Sequence, residues 1–339
     1  MIEIRLCRDS DILAVMDFIN QHWRKGHVLA TSRKLMDWQY KADGGTYNFL
    51  LAYEGDELLA VLGFIPMDRY DNALRGNAAV WLALWKLRDD VTVAGLGLRV
   101  LRNLEQITGA RTLAVNGINA THPPMYRALG YQTGSLRHHY VLNPSSPRSL
   151  IKSASRAVVW PFPKRGTAYA HELDGQDLQQ LRWSAHDQGK SPAYFEQRYL
   201  KHPFYRYRVF LLEDGGCKAL MATRTARRGT AAALRLIDFH GDTAVLAAAG
   251  SAFETLMQQE GVEHADFLNA GLPQGVLEAA GFACLDFDGP VTVPNRYEPL
   301  EIKNHRVHFA VKTEQATPVM IFRGDGDQDR PNLIQGNDA

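Results

Sequence analysis

Trp81-Leu82-Ala83-Leu84-Trp85-Lys86-Leu87, then Val93-Ala94-Gly95-Leu96-Gly97, then Met125-Tyr126-Arg127-Ala128-Leu129-Gly130-Tyr131 are the pieces of one stretch on which the fold turns. A strand-like run from Ala79 to Leu87 enters the glycine pair. A helical pattern follows from Leu98 to Ile107, and a second strand-like run covers Arg111 to Asn116. The loop from Asn119 to Pro124, which carries His122, leads into a short helix that holds Tyr126 and ends at Gly130. Two glycines one residue apart let the backbone turn tightly from strand to helix. The amides of the first helical turn, reinforced by the helix dipole, then face whatever lies before them. That is an anion site of a size that suits a pyrophosphate.

Working outward, Ile2 to Cys7 alternates like a strand, and Asp9 or Ser10 is placed to cap a helix over Ile12 to His22. Tyr47 to Tyr53 and Glu57 to Pro66 read as a hairpin around Glu54-Gly55-Asp56. The second half repeats this plan. Tyr207 to Glu213 and Cys217 to Ala226 form a hairpin, Ala231 to His240 a strand, Thr243 to Glu260 one helix, and His264 to Asn269 another strand. Leu272 to Phe282 then mirrors the segment that ends at Gly130-Tyr131. The copy has His240-Gly241-Asp242-Thr243 at the strand–helix junction, and Val276 or Leu277 where a tyrosine is expected. A carboxylate at a phosphate position repels the ligand.

Met125-Tyr126-x-x-Leu129-Gly130-Tyr131 resembles the tyrosine motif of the GNAT acyltransferase superfamily, and Val93 to Gly97 resembles that family's CoA-pyrophosphate loop. The resemblance covers roughly residues 1–142. It implies an α/β fold with a mixed sheet, here two GNAT-like domains in tandem, the second degenerate and lacking CoA. It also implies acetyl-CoA or another acyl-CoA as co-substrate. Carried over residue by residue, it assigns CoA contact to Leu87, Val93, Ala94, Gly95, Leu96, Gly97 and Asn119, and thiolate protonation to Tyr126. One departure is that Thr92 stands where the family usually has Gln or Arg, within the apolar run Val91 to Ala94.

A base for the attacking amine is expected among His122, Asp89, Asp90, His138 and His139, with His122 first because it precedes Pro123-Pro124 close to Tyr126. Two further segments suit an acceptor. Tyr194 to Arg208 is dense in aromatics and cations, and Arg206 or Arg208 suits a diphosphate. The tail Gly324-Asp325-Gly326-Asp327-Gln328-Asp329-Arg330-Pro331-Asn332 presents Asp325, Asp327 and Asp329 to hydroxyls or an ammonium. It lacks the loop glycine and distal glutamate of an EF-hand, so no metal is assigned. This ending, together with the segment Arg198-Tyr199, His202-Pro203 and Tyr205, resembles two-domain GNAT proteins of bacterial surface-polysaccharide clusters, which implies N-acylation of an amino sugar, often nucleotide-linked. Two alternatives remain open: an aminoacyl-tRNA-dependent transferase of the peptidoglycan-bridge type, and a non-catalytic GNAT-like binding protein.

The expected organisation is a first domain at 1–142, a basic Pro/Ser linker at 143–170, a second domain at 171–332 and a frayed tail at 333–339. With 339 residues and a formal net charge of +1, the chain is long enough for two cores and carries no general case for nucleic-acid binding. Cys7, Cys217 and Cys284 are isolated and read as reduced thiols of a cytoplasmic protein. No run is long and apolar enough to span a membrane. The linker's Leu150, Ile151, Val158, Val159 and Trp160, with its basic residues, suit peripheral membrane contact.

Overall fold

A computed structural model describes residues 1–75, 79–183, 189–314 and 319–334. Alternation of apolar and polar residues along Ile2 to Arg8 gives β1 (Ile2–Arg8). Three short helices follow: α1 (Ile12–Phe18, continuing as a wide turn through Trp23), α2 (Val28–Thr31) and α3 (Arg33–Tyr40). The hairpin β2 (Thr46–Glu54) and β3 (Glu57–Pro66) turns at Gly55, and β4 (Val80–Leu87) completes an antiparallel meander. Then come α4 (Leu96–Thr108), β5 (Thr112–Ile118), α5 (Pro123–Ala128) and β6 (Gln132–Ser135).

The next strand, β7 (Arg137–Leu142), leaves this sheet. It lies antiparallel to a strand of the second half, with Asp266 opposite Tyr140 and Leu268 opposite His138. The expected boundary at 142 therefore does not separate the sheets. Its place in the first sheet is taken by a strand from near the other end of the chain, β14 (His308–Thr313), which pairs with both β5 and β6.

The second half runs β8 (Tyr169–Leu173), α6 (Gly175–Gln180), α7 (Pro192–Phe195, continuing as a wide turn through Leu200), β9 (Arg208–Asp214), β10 (Cys217–Arg228) and β11 (Ala231–Gly241). It continues with α8 (Ala244–Ala247), α9 (Gly250–Glu260), β12 (His264–Ala270), α10 (Val276–Ala279), β13 (Ala283–Cys284) and β15 (Ile321–Phe322). The two sheet orders are β1-β2-β3-β4-β5-β14-β6 and β8-β9-β10-β11-β12-β7-β13, with β15 against β12. One apolar core runs continuously from Leu35, Tyr40 and Trp81 of the first half to Phe195, Tyr199 and Ile237 of the second.

One local expectation is corrected. The helix anticipated over Thr243 to Glu260 is broken after Ala247. The connecting segment crosses it there, with Ala168 N–H donating to Ala248 O, and a Cβ on Gly250 would collide with the carbonyl of Lys164. The first part of the expected linker, residues 143–151, is fastened along the second half. Asn143 N–H bonds Glu263 O, and the Glu263 carboxylate accepts from the amides of Ser149, Leu150 and Ile151. Most of the expected frayed tail, 335–339, lies outside the described residues. Among the described residues no helix is long and apolar enough to cross a membrane.

Because β14 sits between β5 and β6, a fragment of residues 1–142 lacks an interior strand and leaves two strand edges unpaired. It is expected to show no cooperative thermal transition by circular dichroism, whereas the full chain does. A sharp melt of the isolated fragment would refute the exchange.

Candidate functional site

Each sheet contains one parallel pair, and both pairs part early. In the first, β4 and β5 are in register only at Val80, Trp81 and Leu82 opposite Leu113, Ala114 and Val115. Beyond Leu82, β4 stays bound to β3 as far as Leu87, while β5 turns away, so a wedge opens between them. Arg88 N–H donates to Leu59 O on the β3 side. Since successive strand amides face opposite edges, the Leu87 N–H points into the wedge.

The second pair, β11 and β12, is in register at Ala233–Leu236 opposite His264–Phe267 and then parts in the same way. This wedge is filled by the chain itself. Phe322 and Ile321 of β15 pair with Asn269 and Ala270, and Gly324 N–H donates to Ile237 O at 2.7 Å. The filling is locked by buried charge. Lys190 bridges Asp238 and Asp325, Tyr199 donates to Asp238 at 2.5 Å, and Arg198 donates to the carbonyls of Gly324 and Gly326. At the other junction Asp242 turns its carboxylate onto the amide of Ala244, the position an anion would otherwise take.

Around the open wedge, Gly95 adopts φ +71° as the N-cap of α4, with nothing within 4 Å of a built Cβ. The amides of Gly97 and Leu98 are in the first helical turn and have no intrahelical acceptor. Gly97 also packs closely, since a Cβ there would touch Trp85 at 3.3 Å and Leu87 at 3.5 Å. Val93 is half-buried, Ala94 and Gly95 are exposed, and the Leu96 side chain is buried in the core, so Leu96 offers a ligand only backbone. An open positive-φ turn, unpaired helix amides and a wedge with a free strand edge fit a pyrophosphate with an extended arm.

The wedge leads into a cleft of about 1350 Å³ bounded by both halves of the chain. Leu87, Gly97, Asn119, His122 and Tyr126 line it from the first half. Tyr126 is 4 % exposed and packs edge-on against Tyr131 and Trp85 at ring separations of 5.3 and 6.4 Å. Burial pushes its phenol up to about 12, so it holds its proton throughout the neutral range. His122 is exposed at the start of α5, and Asn119 accepts from the Thr121 amide to shape the loop between them.

The other candidates for a base are elsewhere. Asp89 and Asp90 are held by Lys86 and Arg88 on the surface. His138 and His139 left with β7. His138 is fully buried against Asp266, and His139 sits between Asn269 and Glu278, pushed down to about 4 by burial.

The acceptor residues also divide. Arg208 is bound to Glu172 and Glu260 outside the cleft, and Arg206 is exposed and does not line it. Asp325 is spent on Lys190 within the plug. Asp327, paired with Arg330, and Asp329, bound to Arg224, Arg323 and Tyr207, do line the cleft. Sequence reading missed Arg235, Tyr297, Glu298, His305, His308 and Arg323, all of which line it too. One signal was available, because Arg235 interrupts the apolar run from Ala231 to Ile237, and a fully buried arginine needs a reason.

No family model matches the sequence, and no curated protein does. Solved structures do share the fold. A GCN5-related N-acetyltransferase from Anabaena variabilis is similar with a TM-score of 0.53 and 10 % identity, over 92 % of this chain and 72 % of that one. A GCN5-related N-acetyltransferase from Kribbella flavida is similar with a TM-score of 0.50 and 16 % identity, over 92 % and 70 %. The fold is two GNAT-like domains in tandem, with one open wedge and one filled.

Asp329 carries the strongest stability prediction. Asp329→Ala leaves Arg224 and Arg323 buried without their carboxylate, a loss of about 3–5 kcal/mol. Urea unfolding of the variant should show a midpoint lowered accordingly, and an unchanged midpoint would contradict the ion-pair geometry.

Proposed function

We propose that the chain is an acyl-CoA-dependent acyltransferase whose co-substrate enters the β4–β5 wedge and whose acceptor lies in the cleft between the two domains. The observation that carries this reading is the asymmetry of the wedges. The same fold is open beside Gly95, Gly97 and Tyr126, and closed by the chain's own tail where those residues are missing. An acyl thioester supplies an activated carbonyl. The Leu87 amide is aimed into the wedge, where it would stabilise charge developing on that carbonyl oxygen. Tyr126, protonated at neutral pH, gives its proton to the departing sulfur. His122, exposed on the cleft wall, takes the proton of the attacking amine.

The acceptor we favour is an amino sugar. Asn116, Asn119, Gln328 and Asn332 line the cleft with groups that hydrogen-bond hydroxyls, and Asp327 is a carboxylate suited to an ammonium. The aminoacyl-tRNA alternative predicts a basic groove, which the cationic cleft provides, and allows a coiled-coil insertion, for which there is no helix among the described residues, the longest being α4 with 13 residues.

Two measurements test the reading. Gly95→Glu forces a side chain and a negative charge onto the pyrophosphate position, and calorimetry should show acetyl-CoA binding lost. Retained affinity would sink the assignment, and absence of binding to the wild type would favour a non-catalytic protein. Tyr126→Phe removes one proton and little volume. With a suitable amine, kcat should fall by roughly 10²–10⁴-fold at unchanged CoA affinity. The wild-type rate should also show no alkaline loss from the phenol while the amine acceptor ionises, because burial has moved Tyr126 above that range.

A further inference from the structure

The cleft is more cationic than the chain. Eight lysines and arginines line it against four carboxylates, in a protein of formal net charge +1. On the side formed by the second domain the excess is structural rather than diffuse. Arg224, Arg235 and Arg323 share one cluster with only two carboxylates, Asp266 and Asp329. Asp329 accepts from Arg224 Nε at 3.0 Å and Nη2 at 2.9 Å, from Arg323 Nε at 2.9 Å and from the Tyr207 hydroxyl at 2.8 Å. Asp266 is closed by Nε and Nη2 of Arg235 and by His138 Nε2 at 2.8 Å. Burial holds His138 below its usual range, so it adds no charge at neutral pH, and the cluster keeps one unpaired positive charge.

That charge falls on Arg323. Its guanidinium is committed only through Nε. Among the described residues no acceptor takes its two terminal nitrogens, and it lines the cleft with its side chain 13 % exposed. Burial and the neighbouring charge of Arg235 both weaken its hold on its proton, the mark of a cation without enough counter-charge. Arginine nevertheless stays charged, so the deficit has to be met from outside.

A second polar group at the same wall also lacks a partner. The hydroxyl of Tyr297 is buried, has no hydrogen bond among the described residues, and belongs to a cleft-lining side chain only 4 % exposed. Arg235 lies over its ring at 4.8 Å, and the charges of both Arg235 and Arg323 act on its phenol. Buried hydroxyls are nearly always hydrogen-bonded, and an unpartnered hydroxyl and a half-free guanidinium lining the same cleft fit an oxygen-bearing anion.

We infer that Arg323 and Tyr297, with Arg235 behind them, form an oxyanion subsite that holds a phosphate or carboxylate of the acceptor. This rests on the acceptor's place in the cleft under the proposed function, and it narrows the acceptor class to amines that carry an oxyanion. The subsite belongs wholly to the degenerate domain. The domain that lost the co-substrate would thus supply recognition of the acceptor.

Calorimetric titration of the full chain with inorganic phosphate and, separately, with acetate tests this at constant ionic strength. Each titration is run with saturating CoA so that the glycine turn is already filled. The expected result is one site for one of the two anions, which identifies the source, weakened about tenfold or more by Arg323→Gln and by Tyr297→Phe. Both variants should bind CoA as the wild type does. Should Arg323→Gln fail to fold, Tyr297→Phe carries the test alone, because it removes only an unpaired hydroxyl. Anion binding that is absent in the wild type, or unchanged in the folded variants, overturns the subsite. Failure of the wild type to bind CoA overturns the proposed function instead, and the anion titration on the unliganded chain still decides the subsite.

Discussion

Parallel strands that pair for three or four residues and then diverge leave strand edges with backbone groups that need partners. Such groups are rarely left unsatisfied in the interior of a protein. This molecule has two such pairs and meets the requirement in two ways. At β11–β12 the tail supplies a strand, and Lys190, Asp238, Asp325 and Tyr199 hold it in place. At β4–β5 the edge beyond Leu82 faces a cleft, beside a helix start with its own orphan amides. The two domains differ in that one respect: one wedge is filled and the other is open.

The tail reaches the second wedge because the chain first crosses to the other sheet. β14 enters the first sheet, next to β5, and β7 has already gone to the second, next to β12. Each sheet therefore depends on a strand from the other half. The shared core around Tyr40, Trp81, Tyr199 and Ile237 extends the same dependence to side chains. A cleft walled by both sheets is consequently held by covalent crossing and not by docking alone. Positions contributed by Tyr126 and by Arg323 are fixed relative to each other by the same two strands.

Buried ionic groups seldom add net stability compared with apolar replacements, though they are severely destabilising when half removed. Here they have a positional role. Asp329 orients Arg224 and Arg323 together, and Asp266 orients Arg235, so that one guanidinium end is left facing the cleft. Of the three tail aspartates, Asp325 and Asp329 are buried against cations, and only Asp329 belongs to this frame.

Local sequence was enough to place most of the elements and the turn that opens the first wedge. Periodicity placed the hairpin of β2 and β3, and the glycine pair placed the start of α4. The short stretch around Tyr126 placed its helix, because each of these depends on residues within one or two turns of one another. It also marked the second domain as degenerate, through Asp242 and the missing tyrosine. Only the tertiary structure decided what depends on distant parts of the chain. The exchange of β7 and β14 could not be read, since it is set by pairing with strands far along the chain and nothing local in either strand names its sheet. His138 and His139 were candidates for a base until the exchange buried them in the second sheet. The tail's aspartates likewise gave no local sign of their partners, because Lys190, Arg224 and Tyr207 lie more than a hundred residues earlier and meet them only in the folded molecule.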